Sequence, residues 1–124
     1  MNTKFSYEYR DGDNYHVHRD VVVAGHLTMA DLEPHMDRGV CAYYGFIPSQ
    51  VGLENLQYEL AAFGNGTLDD SRDHVWHSFF GMEPTDEAPT VKFTAAEFIE
   101  AFRKVNMKWD MVGVSEKLGI QENP

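Results

Sequence analysis

The sequence predicts an α+β fold: a small single domain over residues 1–124, with an antiparallel sheet led by an N-terminal β-hairpin and a C-terminal amphipathic helix packed on one face. Three observations carry this. Residues 4–10 alternate aromatic and polar side chains and are followed by turn residues and a second β-rich run. Residues 94–109 combine a helix-capping signature with an apolar stripe of helical period. The chain has 124 residues, of which 43% are hydrophobic, with 8 Phe, 6 Tyr and 2 Trp. That is enough apolar surface for one modest core and too little chain for two.

The hairpin comes first. In Lys4 to Arg10, Phe5, Tyr7 and Tyr9 alternate with polar neighbours, and period 2 with aromatic enrichment is the mark of a half-buried strand. Asp11-Gly12-Asp13-Asn14 supplies turn chemistry, because glycine tolerates unusual backbone angles and Asp and Asn side chains bond nearby backbone. The returning strand sets Tyr15 and Val17 against His16 and His18, then becomes continuously apolar at Val21-Val22-Val23, as a strand covered on both faces does. Leu27 to Leu32 reads as the start of a short helix, with Thr28 as cap, Asp31 in the first turn and a Leu27–Leu32 staple. Pro34 shortens it or marks a late start, and Gly39 is its stop.

Residues 40–47 (VCAYYGFI) lean towards β structure and end at Pro48. Leu53, Leu56, Leu60 and Phe63 follow at helical spacing until Gly64-Asn65-Gly66 breaks the chain. From about 64 to 90 the chain reads as acidic and loop-rich, with an aromatic island at residues 75–80 and a loop at 81–89 enforced by Pro84 and Pro89. Val91 to Phe93 is a short strand leading into the clearest element, a helix over about 95–108. There Thr94 and Glu97 fit a capping box, Phe98, Phe102, Val105 and Trp109 form one stripe, and Glu100 and Lys104 pair on the outside. The tail 121–124 is expected to fray.

Charge excludes several functions. The net formal charge is −10, from 10 basic and 20 acidic residues. Direct nucleic-acid binding and anionic membrane surfaces both require the opposite balance. No apolar run has the roughly 18 residues of a membrane helix, and the N-terminus does not read as a signal peptide. One cysteine, Cys41, precludes an internal disulfide, and a cytoplasmic setting is the expectation. In its apolar run Cys41 reads as a small core hydrophobe rather than a nucleophile. Half of the acidic excess falls in residues 61–90, on Asp69, Asp70, Asp73, Glu83, Asp86 and Glu87 against Arg72 alone. Those six carboxylates are the candidate partner-binding residues; the plainer reading is a solvated, solubilising loop.

The candidate metal ligands are His16 and His18, two apart on one strand face, and His74 and His77, at i, i+3 if that piece is helical. A plainer reading makes the first pair the polar face of a strand and binds His77 to a loop carbonyl. No phosphate loop, dinucleotide fingerprint, nucleophile elbow or CxxC pair is present, and no catalytic residue is assigned. The expected function is therefore a non-enzymatic protein-binding or regulatory domain whose partner is another protein or a second copy of itself. The alternative is an acidic inhibitor that mimics nucleic acid in a binding cleft. A second alternative is a small metal-dependent enzyme using a histidine cluster. No cofactor is expected under the first two; a transition metal belongs only to the last.

Overall fold

In the computed structural model, which describes residues 1–38 and 44–120, the alternating N-terminal segment is the strand β1, Asn2–Arg10. It pairs antiparallel with β2, His16–Val23, in the register Arg10↔His16 through Thr3↔Val23. The turn forms as its residues demand. Asp11 Oδ1 accepts the backbone N–H groups of Asp13 (2.9 Å) and Tyr15 (3.0 Å), and Asn14 takes the left-handed conformation at φ 71°. Val21, Val22 and Val23 are all buried, as their unbroken apolar run predicts.

β1 is central. On its other side lies β4, His77–Thr85, and β4 pairs in turn with the two-residue β3, Gly45–Phe46, so the sheet order is β2-β1-β4-β3. The sequence reading placed a loop at 81–89, and β4 corrects it through Thr85. Two devices let this strand carry Gly81 and Pro84. Tyr7 faces Phe79 while Ser6 faces Gly81, so Phe80 is the extra residue of a β-bulge. Beyond Phe79, β4 has β1 on one side and no strand among the described residues on the other, and an edge is where a strand accommodates proline.

The helices close one face. α1, Met29–Leu32, runs into a single 3-10 turn, Glu33–His35, which absorbs Pro34 at its start. Thr28 and Asp31 do meet at its N-terminus, the Thr28 backbone N–H donating to the Asp31 carboxylate at 3.0 Å. α2, Gln57–Ala61, is short. Of the helical stripe, Leu53 and Leu56 precede this helix and are buried, Leu60 lies on it, and Phe63 beyond its end is left in solvent. α3, Ala95–Val105, begins with the expected capping box: Glu97 N–H donates to Thr94 Oγ1 at 3.2 Å and Thr94 N–H to Glu97 Oε1 at 3.0 Å. It ends at Asn106 in the left-handed conformation, three residues short of Trp109, and a separate helix, α4, Met111–Leu118, follows. Residues 91–93 form bends rather than the expected strand. Glu100 pairs with Arg103 (3.1 Å) in place of Lys104.

The core sits between β1 and α3. Phe5 meets Phe98 edge-on at 5.3 Å, Phe98 meets Phe102 at 5.1 Å, and Phe46 completes the layer. A smaller cluster, Ile47, Val75, Trp76 and Val114, holds α4 in place, with Trp109 bridging to Phe102. Among the described residues no helix is long and apolar enough to cross a membrane. Gly39, the segment 40–43 with Cys41, and the tail 121–124 lie outside the described residues.

Candidate functional site

The acidic segment is divided by the sheet. Glu83, Asp86 and Glu87 lie beside the start of β1, where Glu87 pairs with Lys4 at 2.7 Å. That hydrogen bond raises the Lys4 pKa and lowers that of Glu87. Asp73 lies beside the other end, against Tyr9, with Asp69 and Asp70 in the same turn, about 17 Å along the strand from Lys4 at ~3.3 Å per residue. The structure therefore does not bring the six carboxylates into one patch.

What it brings to the Asp73 end is the hairpin turn. The turn at 69–73 is wound by its own acids: Asp69 Oδ1 accepts Ser71 N–H and Asp73 Oδ2 accepts Asp69 N–H, both at 2.9 Å. Gly12 N–H donates to Arg72 O at 2.7 Å, and a Cβ at Gly12 would sit 3.3 Å from Arg72 Cα, so a larger residue there would press the two turns apart by a few tenths of an ångström. Tyr9 Oη donates to Asp73 Oδ1 at 2.6 Å beneath them. Burial, then the bond to Asp73, drive the Tyr9 pKa well above the ordinary tyrosine value.

Between these turns and the C-terminal end of α2 opens a cleft of about 400 Å³. Its charged lining is Asp11, Asp13, Asp73 and Arg72, and its aromatic lining is Tyr15 and Phe63. Tyr15 is 68% exposed and Phe63 83%. Arg72 Nε lies 3.4 Å from Asp73 Oδ2, and its Nη2 donates to Thr67 O, so one acid of the three is balanced by the arginine. Asp11 is occupied with the turn. Asp13 contributes its backbone N–H to that turn, and its side chain stands in solvent. Of the sequence candidates, Asp73 alone lines this cleft. Asp11, Asp13, Tyr15 and Phe63 were read as turn or core, because the cleft joins segments some fifty residues apart.

The histidines separate in the same way. His74 and His77 do not lie on a helix; residues 73–76 are irregular and His77 opens β4. Trp76 N–H donates to His74 Nδ1 (3.0 Å), so the proton is on Nε2, which donates to Arg10 O at 2.8 Å. His77 Nε2 accepts Leu56 N–H at 2.9 Å, and its Nδ1–H donates to Val75 O at 3.1 Å. Wholly buried, His77 is desolvated, which lowers its pKa to about 3. All four ring nitrogens of this pair are engaged by backbone.

His16 and His18 do share one exposed face, stacked at 5.9 Å between ring centroids. His18 also stacks on Phe80 at 4.7 Å, across Glu8, whose Oε2 lies 3.8 Å from His18 Nδ1. Among the described residues no group of three or more His, Cys, Asp and Glu side chains is placed to hold a metal ion. Compared with protein-family models, curated proteins and solved structures, the chain finds no match.

Proposed function

We propose that this is a non-enzymatic binding domain that engages a partner protein at the cleft between the hairpin turn and the 69–73 turn. The observation that carries the reading is that Tyr15 and Phe63, two large rings, flank an acidic cavity and remain mostly in solvent. An exposed phenylalanine forfeits most of the stabilisation that burying it would bring, roughly 1.5–3 kcal/mol, and apolar surface rimmed by charge is characteristic of contact sites. The acidic surroundings favour a basic partner and speed its approach.

The test is capture from source-cell lysate by the wild-type protein and by Tyr15→Ser and Phe63→Ser, both of which are expected to melt as the wild type does. A partner retained at low salt, released towards 1 M salt, where the Debye length is about 3 Å, and lost with either variant supports the proposal. A captured set that neither variant changes overturns it. A partner that duplex DNA displaces would identify the narrower class of acidic inhibitors of nucleic-acid-binding proteins.

A further inference from the structure

We infer that the group taken by this cleft is an arginine side chain of the partner, its guanidinium against Asp13 and its flat face on the ring of Tyr15 or Phe63. The inference rests on the binding-domain reading above and names the chemistry of the partner. Three features of the cleft select this occupant.

The first is charge. With Asp73 balanced by Arg72, the lining keeps two negative groups, Asp11 and Asp13. A cation is the complementary ligand; an anion would meet both carboxylates. The second is availability. Asp11 is held by the turn, whereas the Asp13 carboxylate is free of that duty and solvent-facing. Two carboxylate oxygens match the fork of a guanidinium, while an ammonium makes a single point contact. The third is the rings. An arginine stacks its delocalised plane on an aromatic face and lays its methylenes along apolar surface, gaining from Tyr15 or Phe63 what a small hydrated cation cannot. Leu60 and Ala61, on the α2 side, give the stem an apolar wall.

The cleft is held ready for this. Asn14 accepts from Arg10 Nη1 at 2.6 Å, Gly12 is bonded to Arg72, and Gly64 and Gly66 both donate to Ala61 O. The backbone of neither wall has to order on binding, which leaves the exposed side chains of Asp13, Tyr15 and Phe63 as the groups to be fixed.

The probe is a synthetic octapeptide alternating arginine and glycine, with matched peptides carrying citrulline or lysine, titrated by calorimetry into the 124-residue chain. Amide shifts of Gly12 and Gly64 are followed in parallel. Binding of the arginine peptide, weakened about 10-fold or more by citrulline and about 3- to 10-fold by lysine, is expected. Asp13→Asn and Phe63→Ala are each expected to weaken it about 3- to 10-fold. Gly12→Ala, which crowds Arg72, is expected to weaken it without touching the ligand. Equal binding of the lysine peptide overturns the arginine assignment and leaves an acidic contact site. Arginine binding that is unchanged in Asp13→Asn and Phe63→Ala overturns the location. No binding at all, with lysate capture still lost in Phe63→Ser, overturns the inference while the binding-domain reading stands.

Discussion

On the outer face of the sheet His16 and His18 stack on each other, and His18 stacks on Phe80, all three rings reaching solvent. On the inner side His77 is wholly buried beside Tyr7 and Tyr9, and both its ring nitrogens, like those of His74, bond to backbone. The same side chain thus serves as surface on one face and as structural cement on the other. A buried imidazole can hold two backbone groups that would otherwise be orphaned, one N–H and one carbonyl, because its two nitrogens differ. An exposed imidazole has water for both. Residue type alone carries no trace of this difference; the strand's facing does.

The contrast can be broken most severely at His77. His77→Ala should cost about 3–5 kcal/mol, from the cavity and from the stranded Leu56 N–H, read as a fall in the urea midpoint. A cost below about 1 kcal/mol would mean that His77 is not a core group. Next comes pH. Folding holds His77 neutral at a pKa of about 3 against 6.5 for the free side chain. Its contribution is therefore fully present above about pH 6.5 and declines as the pH falls towards 3, at ~1.4 kcal/mol per unit. Between pH 7 and 4 the wild type should lose several kcal/mol more than His77→Asn does. Parallel stability curves for the two proteins would remove the effect.

A smaller loss tests the floor of the cleft. Tyr9→Phe removes the donor to Asp73 at 2.6 Å, and Asp73 itself is only 8% exposed. A buried carboxylate deprived of a partner should cost about 1–3 kcal/mol, seen in thermal melting, and the 69–73 turn should exchange its amides faster. The smallest effect belongs to the outer face. His16→Ala and His18→Ala should each change stability by no more than about 0.5–1 kcal/mol. A larger loss at His18 would show that its stack on Phe80 over Glu8 is structural, drawing the two faces closer in kind.

How far the fold could be read from sequence follows from how local each signal is. β1 and β2 were legible because alternation and turn residues lie within twenty positions. α3 was legible because Thr94 and Glu97 cap it within one turn. β4 was not, because Gly81 and Pro84 look like breakers unless the neighbouring strand and the bulge at Phe80 are known. α4 was missed although Asn106, Asp110 and Gly119 are ordinary helix stop and start signals, because the apolar stripe running to Trp109 carried α3 past its end and α4 itself has only eight residues. The carboxylates could be counted but not placed. The cleft needed residues 11–15, 60–65 and 72–73 together, and Phe63 looked like core because the helical stripe was extended one turn too far.

The position of β1 sets the order in which the molecule can be made. This central strand leaves the ribosome before either of its partners, and one of its edges stays open until residues 77–85 arrive, some seventy positions later. Until then the hairpin shows Phe5, Tyr7 and Tyr9 to water on a strand with unsatisfied amides, the kind of template that recruits a foreign strand. The pairing that closes the sheet is long-range, and such pairings form slowly because a large loop must close first. Asp20 and His18 on the neighbouring strand, with Glu8 and Lys4 on β1 itself, keep the other side of that waiting hairpin charged or polar. The same arrangement delays the cleft: Gly12 meets Arg72 only once sixty residues have been threaded between them, so the cleft should form with the closing of the sheet and no earlier.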